Sequence, residues 1–319
     1  MTPRARAPFV VGAVVALLLS GCSNDEPPTA TDRLLLEYGN LEAGSLHVES
    51  GEDSLETIVQ LDADATVDEI TALIVGHPGK VQAAGLAEGD EQLRFLTDAG
   101  PMLTMRWVGD PDEGAVRDGV SHWFLVNALV GPQVQLVLDS DGAELYGVHG
   151  DSTGWVRDAF REIGADPVLG ADYAVWDVTA TAGASELRFA INGLPTDAQL
   201  ATWDALVASL GKLPVDHAAS SLDVTVASRA TVRVSLSAPP GTTALSPQGD
   251  SELLWPALHD QLDAVPGLHS AWEFVVNWAT TDQPTSVLPL VSLHSDQRRP
   301  GPTDVWNRAA FDYVSKGRE

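Results

Sequence analysis

The chain has 319 residues, 44% of them apolar and 20% charged, which is enough to bury a sizeable core and rules out wholesale disorder. Its 45 acidic residues against 18 basic ones give a formal charge of −27, which argues against nucleic acid as the main partner and against a body lying flat on anionic lipid. A single cysteine excludes an internal disulfide framework and any cysteine-rich zinc site.

The N-terminus reads as an export signal. Arg4 and Arg6 precede an unbroken apolar stretch, Phe9–Leu19. Those 11 residues are too few to span a bilayer, which takes about 20. No later apolar segment approaches that length without charge, so no transmembrane helix is expected. Directly after the stretch comes Leu19-Ser20-Gly21-Cys22: an aliphatic residue, two small residues and the only cysteine. This segment resembles the lipobox of bacterial lipoproteins. The resemblance covers about the first 22 residues. It implies cleavage between Gly21 and Cys22 and a diacylglyceryl group on the Cys22 thiol. Residues 1–21 are then a signal peptide, and membrane lipid is a partner through Cys22. The mature chain also loses Arg4 and Arg6, so its charge falls to −29. Residues 22–44 read as lipidated cysteine and tether, because Ser23–Asp32 is polar, acidic and proline-containing. Leu34-Leu35-Leu36 marks the approach to folded structure.

The body shows an internal period. Strands open at Leu46–Val48, Leu136–Leu138 and Leu222–Val224, each followed by a turn and a second strand near 55–62, 144–149 and 231–237. Asp141-Gly142 is a hairpin turn pair. A helix follows in each copy. The first starts at Thr66, with Glu69 completing a capping box, and carries Ile70, Leu73 and Ile74 on one face. The second carries Val156, Phe160 and Ile163; the third carries Trp255, Leu258, Leu262 and Val265. Alternation at Leu103–Trp107, Leu187–Asn192 and Trp272–Trp278 marks a second hairpin in each copy. Closing helices are expected near 113–130, 197–211 and 304–316, the second opened by the pair Thr196 and Gln199. The expected class is α+β: three ββαββα repeats that regroup as tandem ferredoxin-like βαββαβ units with antiparallel sheets. The unit boundaries fall at 45–140, 141–228 and 229–319.

Gly150-Asp151-Ser152-Thr153-Gly154 matches the G-x-S-x-G serine elbow, with strand, turn and helix in the required order. Gly249-Asp250-Ser251 stands at the matching place of the third copy, without the second glycine. A shared helix start explains both occurrences, and a nucleophile explains one. Ser152 therefore reads first as part of a helix start, with no catalytic residue expected; it is the one catalytic candidate the sequence offers. The eight histidines show no ligand spacing, and no metal or cofactor is expected. His77, in Gly76-His77-Pro78-Gly79, reads as a helix end. The acidic clusters Asp139–Glu144 and Asp110–Glu113 read as a turn and a helix start. Trp123, Trp203 and Trp306 recur in equivalent helices and read as core.

These features describe a lipid-anchored protein on the extracytoplasmic face of the cell membrane. Its body is expected to be a non-catalytic binding or assembly module, partnered by an envelope protein or a small ligand. An anchored serine hydrolase using Ser152 is the alternative, and a transporter's solute-binding lipoprotein is a second one.

Overall fold

A computed structural model describes residues 28–39, 41, 44–50, 55–86, 91–98, 100–107, 109–131, 134–150, 152–169, 174–182, 185–213, 219–238, 251–280, 288–301 and 304–316. The signal segment and Cys22 lie outside the described residues, as do Asp151, His217 and Gly249-Asp250.

The elements follow in the order α1 (Ala30–Tyr38), β1 (Gly44–Ser50), β2 (Leu55–Leu61), α2 (Val67–Ala83), β3 (Glu91–Leu96), β4 (Met102–Arg106), α3 (Glu113–Val130), β5 (Val134–Asp139), β6 (Glu144–Gly150), α4 (Thr153–Ala165), β7 (Ala174–Ala182), β8 (Ser185–Asn192), α5 (Asp197–Leu210), β9 (Ala219–Val226), β10 (Ala230–Ala238), α6 (Ser251–Ala264), β11 (Trp272–Thr280), β12 (Leu288–His294) and α7 (Val305–Lys316). Local chemistry sets several starts. Thr66 with Glu69 and Thr196 with Gln199 form the expected capping boxes, and the Asp112 side chain accepts from the Ala115 N–H at the start of α3.

Among the described residues, the twelve strands lie in one sheet, in chain order, and it crosses the expected unit boundaries without a break. Strands within a hairpin pair antiparallel, whereas the hairpins join one another through parallel pairs: β2–β3, β4–β5, β6–β7, β8–β9 and β10–β11. The expected antiparallel sheets are thus one mixed sheet. A ferredoxin-like unit splits its βαβ pair with another strand, but here the parallel partners are adjacent.

One face is buried beneath the helices. The row Val59, Phe95, Leu103, Leu136, Tyr146 and Trp176 runs across adjacent strands beneath the helices, and every member is buried. The opposite row crosses all twelve strands from Ser45 through Gln135, Asp177 and Thr231 to His294, and among the described residues no helix covers it. Alternation of apolar and polar side chains along each strand drives this separation.

One-face burial has a topological cost. A hairpin separates successive crossovers, so β2 and β4 run in opposite directions. With all helices on one side and the strands advancing across the sheet in one direction, successive crossovers have opposite hands. The right-handed preference therefore cannot hold for all five. Putting alternate helices on the other face would restore it, but would bury Gln60, Gln135, Asp177 and Glu273.

The helix layer packs closely. A Cβ on Gly119 of α3 would lie 2.5 Å from Leu138 Cδ1 on β5, so a larger residue there would force the Leu138 side chain to shift. Trp123 and Trp203 are fully buried and Trp306 nearly so, as expected of core residues. α2 departs from expectation: it runs through Gly76-His77-Pro78-Gly79 rather than ending there. Pro78 removes one helical N–H. Burial of Ile74, His77 and Val81 on one face outweighs that loss. α1 likewise lies within the expected tether. Its Thr29–Asp32 capping box and its buried residues Leu34 and Tyr38 make it a folded element.

Candidate binding face

Ser152 is the N-cap residue of α4, as expected, but its side chain makes no cap hydrogen bond. Its backbone is extended, φ −149° and ψ 157°, where an elbow serine sits on a strained turn. The surrounding order, β6 into crossover helix α4 into parallel β7, does match the motif's context. The nearest histidine in sequence, His149, sits on β6 with Nδ1 2.9 Å from the Thr179 hydroxyl oxygen.

The acidic clusters resolve into separate structural roles. Asp139, nearly buried, accepts two hydrogen bonds from Arg106, at 2.6 and 2.5 Å. Gly142 takes φ +90° and turns the chain against Ala115 of α3. Buried Glu144 lies 2.7 Å from His122 Nδ1. That hydrogen bond raises the His122 pKa, against an opposing effect of desolvation. Among the described residues, no group of three or more His, Cys, Asp or Glu side chains is placed to hold a metal ion.

The uncovered sheet face holds the most organised chemistry. At its centre Arg188 on β8 bridges two strands. Its Nε and Nη2 donate to Asp177 on β7 at 2.8–3.1 Å, and Nη1 donates to Asp223 on β9 at 3.1 Å. The hydrogen bonds to Asp177, with the charge of both carboxylates, raise the pKa of the guanidinium. Arg94–Glu56 and Arg106–Asp139 form further cross-strand pairs on this face. Between Arg106 and Arg188 lies an apolar strip. Val137, Leu145 and Val175 are direct cross-strand partners, and Leu145 and Val175 are exposed. With strands about 4.8 Å apart, the whole face is about 50 Å wide.

Sequence reading missed this face. Its signal was available: Leu145-Tyr146 and Val175-Trp176 each place an apolar residue where the alternation calls for a polar one. Arg188 was visible as the polar member of an alternating strand, but its partners lie 11 and 35 residues away.

Comparison with protein-family models, curated proteins and solved structures found no match to this chain.

Proposed function

We propose that the chain is a bacterial lipoprotein held on the extracytoplasmic face of the cell membrane through a diacylglyceryl group on Cys22. Its body is a non-catalytic module that binds or assembles with an envelope partner. The observation that carries the anchor is Leu19-Ser20-Gly21-Cys22 placed directly after an 11-residue apolar stretch. Two acyl chains hold a protein stably where one does so marginally. Among the described residues, no helix is long and apolar enough to cross a membrane.

The binding role draws support from the bare sheet face, where an exposed apolar strip is flanked by arginine–carboxylate pairs. Apolar centres with polar rims are the usual anatomy of an interface. The body is further read as three ββαββα repeats, each made of two successive strand–strand–helix steps, from β1 to α7.

Two experiments test this reading. Cys22→Ala should move the protein from the membrane fraction to the soluble one, or leave an uncleaved precursor; unchanged size and retention would refute the anchor. Leu145→Arg should keep the fold and abolish capture of the envelope partner in a pull-down. Identical captured proteins from wild type and variant would refute the face.

The context of Ser152, at the start of a crossover helix between parallel strands, favours the hydrolase as a second reading. Labelling of Ser152 by a fluorophosphonate probe would establish it.

A further inference from the structure

We propose that α1 is a second membrane contact, whose exposed Leu35 and Leu36 rest in the surface of the bilayer that carries the Cys22 lipid. This rests on the lipoprotein reading above.

The first observation is the pattern of burial on α1. Leu34 and Tyr38, four residues apart, are buried against Val81 and Ala84 of the α2 end. Leu35 and Leu36 point elsewhere, and Leu36 is 69% exposed, the most exposed large apolar side chain among the described residues. A helix that buries one stripe on the protein normally presents polar residues outward. Here the outward side carries two adjacent leucines.

The second observation is chain length. Seven residues, 23–29, separate Cys22 from the first residue of α1. Fully extended they reach about 25 Å. The start of α1 therefore stays within that distance of the lipid, and the body is held near it for as long as α1 remains docked. Its docking is well supplied: Arg33 Nε donates to the Ala84 carbonyl at 2.7 Å, and Lys80 Nζ donates to the Glu37 carbonyl at 2.7 Å. Lys80 also lies 4.9 Å from the centre of the Tyr38 ring.

The third is charge. Arg33 donates to the backbone carbonyls of Ala84 and Pro28, and Lys80 to that of Glu37. In a strongly acidic chain these two cations offset Asp32 and Glu37 on the same helix. That lessens the repulsion α1 itself meets from anionic lipid.

Two leucines alone bind a bilayer weakly. A short tether changes that, because the second contact becomes intramolecular at an effective concentration near the millimolar range. The lipid supplies the affinity and the leucines supply the orientation. The body then stands with its α1 end at the membrane and its bare sheet face free for a partner.

Lipidation blocks the only native thiol, so Leu36→Cys in the full, processed lipoprotein carries a single site for a nitroxide label. The labelled protein is placed in vesicles of phosphatidylethanolamine and phosphatidylglycerol. The expected result is that oxygen reaches the label at 36 far better than a polar nickel chelate does, while a label at Val305→Cys on α7 shows the reverse. Leu35→Cys gives a second reading should the first variant fold poorly. Equal access of the chelate to 36 and 305 in vesicle-bound protein would overturn the proposal. So would a label at 36 that neither reagent reaches, which means contact with protein. Protein that never enters the vesicle fraction would remove the anchor reading itself, and this contact with it.

Discussion

Acid should weaken this protein through His77 in particular. The imidazole is fully buried, its Nδ1 engages the Tyr38 hydroxyl, and its ring stacks on Trp107 at 5.5 Å. Desolvation, with a smaller contribution from the charge of Lys80, pushes its pKa down from 6.5 to about 4. Above pH 6.5 the ring is neutral whether the chain is folded or not. As the pH falls below 6.5, the unfolded chain takes up a proton that the folded chain resists, so stability drops until the folded pKa is reached near 4. A shift of about 2.5 units corresponds to about 3 kcal/mol, to within a factor of two. His77→Gln keeps an acceptor for Tyr38 and removes the titration. Urea unfolding followed by tryptophan fluorescence at pH 7, 6, 5 and 4 gives both stabilities. The variant is expected to start less stable and to converge on wild type by about 3 kcal/mol as the pH falls. A constant difference across the range would refute the assignment.

Three further outcomes are expected. Arg188→Met removes two cross-strand ion pairs and leaves the Asp177 and Asp223 carboxylates without their shared cation. The guanidinium is 35% exposed, so the loss should be only about 1–2 kcal/mol in urea unfolding and should shrink in 1 M salt; a salt-independent loss would contradict it. The raised pKa of His122 adds stability that is full below 6.5 and fades as the pH rises through the folded value, so the wild-type melting temperature should fall over that range and His122→Gln should flatten the fall. Ser152→Ala should change stability by less than about 0.5 kcal/mol, because no cap bond is lost, and a larger loss would show that the hydroxyl has a partner.

Much of the local structure was legible. The closing helices, expected near 113–130, 197–211 and 304–316, are α3, α5 and α7 within a residue at most ends. Capping boxes and apolar periodicity are short-range signals, and they marked these ends without tertiary information. The Trp272–Trp278 strand is likewise β11, with its tryptophans buried. What failed was long-range. The right-handed crossover rule favours a split, ferredoxin-like regrouping, and nothing local reveals that adjacent parallel pairs of alternating hand are used instead. Gly76–Gly79 failed for the opposite reason: the local stop signal is genuine, and burial of His77 and Val81 overrides it. α1 was missed because its burial depends on Val81 and Ala84, about fifty residues further along the chain. The bare face was missed because Arg188 becomes informative only once Asp177 and Asp223 stand beside it.

The most direct test of the account is the intact mass of the protein extracted from bacterial membranes, with its N-terminal peptide sequenced by mass spectrometry. Removal of the first 21 residues leaves a 298-residue chain that begins at Cys22. The expected species is that chain carrying a diacylglyceryl group on the Cys22 thiol. An unmodified Cys22, or a mature chain that begins anywhere else, would contradict it.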